Sequence, residues 1–151
     1  MNVFDEHHDP VQLPDSLCVL VLLDSLKKAK VQAVLDRWLT WQPYFEKIRI
    51  PVYIITPERV PFHSLSPFFF VWCPDGTAYE EMRVIKDKSV FGRTVKIIYS
   101  YAFVMEQGKC LMIQRRMSET GIANLFRFVL RREYQRLLKN VEKKIDKDKQ
   151  I

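Results

Sequence analysis

No short motif in this chain names a chemistry. The sequence has no G-x-S-x-G elbow, no H-E-x-x-H pair, no C-x-x-C, no P-loop and no G-x-G-x-x-G, which excludes the motif-borne forms of acyl transfer, zinc hydrolysis, dithiol exchange and nucleotide binding. Glycine is scarce. The four glycines, Gly76, Gly92, Gly108 and Gly121, stand alone at turns or helix starts and cannot build a phosphate cradle. Cysteine is scarce as well: Cys18, Cys73 and Cys110 are odd in number, widely spaced and set in apolar runs. That pattern points to reduced, buried thiols in a cytoplasmic compartment and not to a disulfide framework.

Long apolar runs are also missing. The longest candidate, Leu17 to Leu23, falls far short of the roughly 20 residues a membrane-spanning helix needs. The first ten residues are acidic where a secretory signal would be basic, and no small-residue cleavage site follows the apolar stretch. A protein without a transmembrane segment is expected.

What the chain does have is enough apolar material for one core. Of its 151 residues, 48% are hydrophobic and 13% aromatic, which excludes disorder for the bulk of the chain and fits a single domain. Residues 1–15, charged and broken by Pro10 and Pro14, are expected to be a flexible leader. A single domain then spans 16–146, and 147–151 form a frayed basic tail.

Within that domain, Leu17 to Leu23 reads as a buried strand. Asp24 or Ser25 can cap a helix carrying Val31, Val34, Leu35, Trp38 and Leu39, which Pro43 interrupts. The β-branched segment Ile48 to Thr56 reads as a strand. From Phe68 to Arg116 the pattern predicts an antiparallel meander: Phe68 to Cys73, a turn at Pro74-Asp75-Gly76-Thr77, a return over Ala78 to Ile85, a polar loop to Gly92, a long strand Thr94 to Met105, and Cys110 to Gln114. Ser118 caps a final helix on which Ile122, Phe126, Leu130, Tyr134, Leu137, Val141 and Ile145 recur every three or four residues. The expected class is therefore α+β: an antiparallel β-meander of about four to six strands, with an N-terminal amphipathic helix and a long C-terminal helix packed on the sheet.

Charge supplies the one functional lead. Residues 1–114 carry 13 basic and 13 acidic side chains, so the whole excess of +6 comes from residues 115–151, with 11 basic against 5 acidic. At about 100° per residue, Arg132, Arg136, Lys139 and Lys143 fall on one helix line. Arg115, Arg116 and Arg131 widen the patch. A line of cations can track a phosphate backbone, so the chain reads as a small non-enzymatic binding protein, a nucleic-acid-binding or nucleoprotein accessory factor, with no cofactor. The acids Glu133, Glu142, Asp146 and Asp148, interleaved on the same helix, equally allow an ordinary salt-bridged surface.

Two alternatives share the pattern. Phe68, Phe70 and Trp72 could present an apolar sheet face to a protein partner or a second copy. A helix-grip cup could carry a hydrophobic ligand. His7, His8 and Asp9, with His63 at a distance, lack the spacing that makes a metal assignment specific, and no metal site is expected from them.

Overall fold

The computed structural model describes residues 1–149. The chain builds a mixed five-stranded sheet and a separate two-stranded hairpin. Strands β1 (Cys18–Leu22), β2 (Val52–Thr56) and β3 (Phe68–Trp72) run parallel, and β6 (Tyr101–Glu106) and β7 (Lys109–Gln114) complete the sheet in the order β3-β2-β1-β6-β7. β1 pairs parallel with β2 and antiparallel with β6, so the sheet changes direction at β1. Strands β4 (Ile85–Val90) and β5 (Arg93–Ile98) pair only with each other.

Every residue of β1 is buried. That is the signature of a central strand covered on both faces, and it explains why Cys18–Leu22 reads as a continuous apolar run and not an alternating one. Val19, Val21, Ile54, Phe68, Phe70 and Val104 face helices α1 (Ala29–Thr40), α2 (Gln42–Ile48) and α4 (Glu119–Lys149), where Val31, Leu35, Trp38, Phe45, Ile122, Leu125 and Val129 meet them. Cys18, Leu20, Leu22, Ile55, Val71, Cys73 and Phe103 point the other way, against Val3, Val84 and the short helix α3 (Thr77–Glu81).

The antiparallel meander is thus corrected to a mixed sheet with two parallel pairings. Three local misreadings produced the error. Past Pro74-Asp75-Gly76 the chain does not return as a strand: Gly76, at φ +74°, redirects it into α3, whose first hydrogen bonds run from the Tyr79 and Glu80 N–H groups to the Gly76 carbonyl. The polar stretch after Val84 is strand β4, stabilised by pairing with β5 and not by burial. The expected long strand breaks at Tyr99–Ser100 into β5 and β6, which belong to different sheets.

Pro43 does not end the helical region either. It sits in the first turn of α2, where its missing N–H costs nothing. The helix-grip cup is likewise not formed, because side chains fill both sheet faces.

The first residues lie along the outer edge of β3. Phe4 and Trp72 exchange two backbone hydrogen bonds of 2.9 Å each, and the Trp72 Nε1–H donates to the Asp5 carbonyl. Of the 147–151 tail, Lys147–Lys149 continue α4, while 150–151 lie outside the described residues.

Candidate functional site

In an open sheet of this kind ligands and chemistry gather beyond the carboxyl ends of the parallel strands, beside the point where strand direction switches. Three chain segments meet there: Leu23-Asp24-Ser25 after β1, Pro57-Glu58 after β2 and Cys73-Pro74-Asp75 after β3. They are tied together by the buried Tyr79 of α3, whose hydroxyl donates to the Leu23 carbonyl (2.7 Å) and reaches the Ile55 carbonyl (3.3 Å). The Cys73 N–H donates to the Thr56 carbonyl, extending the β2–β3 ladder by one rung.

On one side of this edge the Ser25 hydroxyl donates to Glu58 Oε1 at 2.9 Å, Lys27 Nζ stands 3.7 Å from the same carboxylate oxygen, and Lys28 Nζ pairs with Asp24 at 2.5 Å. A shallow groove of about 440 Å³ adjoins it, lined by Leu26, Leu35, Val60 and Phe62 with Lys27, Asp36, Glu58 and Arg59 at its rim.

On the other side lies Cys73. Its Sγ–H donates to Asp75 Oδ1 (3.4 Å), Thr77 Oγ1 lies 3.6 Å away, and the Ala78 N–H donates to the sulfur at 3.4 Å. The side chain is 1% exposed. Asp75 also accepts from Asn2 Nδ2 and from the N–H and hydroxyl of Thr77. Those donors, Asn2 foremost, hold its carboxyl far below the usual carboxylate range.

The other two thiols stand apart from this edge. Cys18 opens β1 at the sheet's opposite end, and burial pushes its thiol up to about 11. Cys110 is exposed on β7, not buried as its apolar run suggested, and desolvation raises its thiol too. The pairings Cys18–Met105 and Met105–Cys110 put these two cysteines two strands apart, about 9–10 Å at normal strand spacing. By strand register Cys73 stands six residues of rise and two strands away from Cys18, about 22 Å. Since a disulfide needs Cα atoms within about 7 Å, the three thiols form no intramolecular bridge in this structure.

Alkaline conditions are expected to weaken the fold through this core. Burial raises Cys18 and, far more, Tyr79, where the nearby Cys73, Asp24 and Glu58 add to the effect. Both groups are neutral below their unfolded values, so their contribution is complete below about pH 9. It is lost progressively as pH rises, first between about 9 and 11 for Cys18 and then above 10 for Tyr79. Denaturant midpoints measured from pH 8 to 11 should fall, and Cys18→Val should flatten the lower part of that fall. A flat wild-type profile would refute the assignment.

The residues singled out from sequence are scattered. Arg115 and Arg116 follow β7 and are exposed, as are Arg131, Lys139 and Lys143 on α4. Arg132 is paired with Glu106 of β6 at 2.6 Å, and Arg136 with Glu133 at 2.5 Å. Phe68 and Phe70 pack inside the chain's own core, and Trp72 is covered by Phe4 and His8 of the leader. His7 and His63 both approach Glu6, at 3.7 and 2.7 Å. Among the described residues no cluster of three His, Cys, Asp or Glu side chains could hold a metal ion, and no helix is long and apolar enough to cross a membrane.

No protein-family model matches the chain, and no curated protein matches it. Solved structures do, and they define the fold as the thioredoxin fold of peroxiredoxins. The Xanthomonas campestris bacterioferritin comigratory protein, whose description concerns alkyl peroxide reduction activity, superposes with a TM-score of 0.70 over 88% of this chain and 90% of its own, at 15% identity. A cysteine-to-serine mutant of X. campestris peroxiredoxin Q gives 0.66 at 18% identity, covering 87% of this chain and 90% of that one. The peroxidoxin BcpB from Mycobacterium tuberculosis gives 0.65 at 13%, covering 85% and 90%.

These matches overturn the expectation of a non-enzymatic, DNA-binding or nucleoprotein accessory factor, because the chain shares its fold with the X. campestris protein of alkyl peroxide reduction activity and with the M. tuberculosis peroxidoxin. The ion pairs of Arg132 and Arg136 give the physical side of that correction: two of the four cations on the supposed phosphate track are already occupied within the chain.

Proposed function

We propose that the protein is a thiol-dependent redox enzyme that reduces peroxides, with alkyl peroxides as the substrate class and Cys73 as the reacting thiol. The supporting observation is the placement of Cys73: it is the cysteine at the carboxyl edge of the parallel strands, with an N–H donor (Ala78) and a proton acceptor (Asp75) both 3.4 Å from its sulfur. The fold shared with peroxide reducers points the same way.

In the proposed reaction the Cys73 thiol loses its proton and the thiolate attacks the terminal peroxide oxygen. The S–O bond forms as the O–O bond breaks, and the departing alkoxide takes a proton to leave as the alcohol. The sulfur is thereby oxidised to the sulfenic acid. Neither Cys18 nor Cys110 can reach Cys73, so an external thiol must condense with the sulfenic acid, releasing water, and a second thiol must reduce the mixed disulfide. This requirement favours a reducing, cytoplasmic setting and a thiol-bearing partner. Because Cys73 is buried, α3 must move for a peroxide to enter.

Consumption of tert-butyl or cumene hydroperoxide with dithiothreitol as reductant tests the reading. Wild-type protein and the Cys18→Ser and Cys110→Ser variants should consume peroxide faster than buffer, and Cys73→Ser should lose essentially all of that excess. A wild-type rate equal to buffer, or activity that survives Cys73→Ser, would sink it.

A further inference from the structure

We infer that the distal part of α4, Leu130–Lys149, is the interface of a homodimer. The helix buries Gly121, Ile122, Leu125 and Val129, and its closest backbone approach is to β7 and α2. Beyond Val129, every described residue except the half-buried Glu133 is exposed, over 20 residues or about 30 Å. A helical stretch of that length without packing is marginal in water, since most helical stability comes from burying an apolar face.

Such a face is present. Leu130, Tyr134, Leu137, Leu138, Val141 and Ile145 are each 42–62% exposed. At about 100° per residue they occupy one sector about 100° wide, centred about 140° around the helix from the line that Ile122, Leu125 and Val129 bury. It is therefore a second apolar face and not an overrun of the first. Its spacing of four, three and four residues from Leu130 to Val141 is the seam spacing of paired helices.

The near end of the seam continues into a groove of about 790 Å³, where Leu130, Tyr134 and Leu137 face Leu17, Ile48 and Ile50.

A second copy of this same segment is the occupant the charges favour. The groove rim carries Asp15, Glu106 and Glu133 against Lys47, Arg49 and Arg136, three of each sign. A polyanion or an anionic membrane would call for one sign, whereas an isologous contact needs both signs on one patch. Arg132, Lys139 and Lys143 lie about 150–170° from the seam, so two seams can meet without bringing these three cations face to face. The seam's six half-exposed apolar side chains run on into the apolar wall of the groove, and a contiguous exposed apolar patch rimmed by polar residues marks an interaction site.

Light scattering coupled to size exclusion, run on the full chain from about 1 to 100 μM, should give twice the 18.0 kDa chain mass at the upper concentrations. Leu137→Glu combined with Val141→Glu should weaken association at least tenfold. Both positions are solvent-exposed in the single chain, so far-ultraviolet dichroism should stay native apart from the distal helix. Lys139→Glu should leave association unchanged. A wild-type protein monomeric throughout, a dimer indifferent to the paired glutamates, or a monomer that binds anionic phosphatidylserine vesicles through this helix would each overturn the proposal. None of these outcomes depends on Cys73.

Discussion

Alanine at position 121 should destabilise the protein by about 2–4 kcal/mol, although glycine to alanine inside a helix ordinarily gains up to about 1 kcal/mol. Gly121 lies in the first turn of α4, where a Cβ would stand 2.0 Å from the Arg116 carbonyl oxygen, 2.8 Å from Gln114 Nε2 and 3.0 Å from the Arg116 carbonyl carbon. The first and last are backbone atoms. Relief needs the link between β7 and α4 to move by more than an ångström, and that link is tied down: Arg37 donates to the Met117 carbonyl, Trp38 Nε1 donates to the Met117 sulfur, and the Gly121 N–H is capped by Ser118 Oγ. The steric term therefore outweighs the propensity term and reverses its sign. Denaturant unfolding should show a lower midpoint at unchanged slope. A shift within about 0.5 kcal/mol of zero would mean that the link yields, contrary to this geometry.

The same β7–α4 link separates what the sequence makes legible from what it hides. Ser118 as a cap and the three-to-four periodicity of the final helix are local facts, decided by side chains within a few residues of one another, and a helix stands there. The all-apolar stretch at Cys18–Leu22 is legible for the same reason. Strand direction is not local. Val52–Thr56 and Phe68–Trp72 have the β-branched and aromatic composition of strands in either orientation, and nothing within either segment says that it pairs parallel to its neighbour. α3 was hidden because Pro74-Asp75-Gly76-Thr77 serves a hairpin and a helix start equally well, and tertiary contacts through the buried Ala78 and Tyr79 decide between them.

The candidate site was hidden by the same non-locality. Cys73 reads in isolation as one more apolar-run cysteine. Its significance comes from the strand order, which sets it at the same sheet edge as Ser25 and Glu58 even though 48 residues separate it from Ser25. The charge excess was locally real, but two of its chief members are spent on Glu106 and Glu133, one of them 26 residues away in sequence. The overlooked signal on that helix was the unburied apolar line from Leu130 to Ile145. A three-to-four repeat running through all of α4 suggests one face, whereas about 140° of rotation between its halves gives two.

Trp38→Ala should cost about 3–5 kcal/mol, a large part of the 5–15 kcal/mol that holds a domain of this size together. Trp38 is the largest side chain with no exposure. It sits where three elements meet: its ring lies 6.2 Å from that of Phe45 in α2, its Nε1–H reaches Met117 ahead of α4, and its own backbone belongs to α1. Truncation opens a cavity none of these elements can close without breaking the others' contacts, so both the transfer and cavity terms apply. Trp41, three residues on, provides the contrast. It is only partly buried, its ring tilted against those of Tyr44 and Phe126 with a long 3.4 Å hydrogen bond to Glu119, and Trp41→Ala should cost about 1–2 kcal/mol. Chemical denaturation of the two variants ranks them directly. If Trp41→Ala proved the more damaging, α4 would be docked mainly through Phe126 on the rim, and the Trp38–Met117 contact would lose its place as the joint between helix layer and sheet.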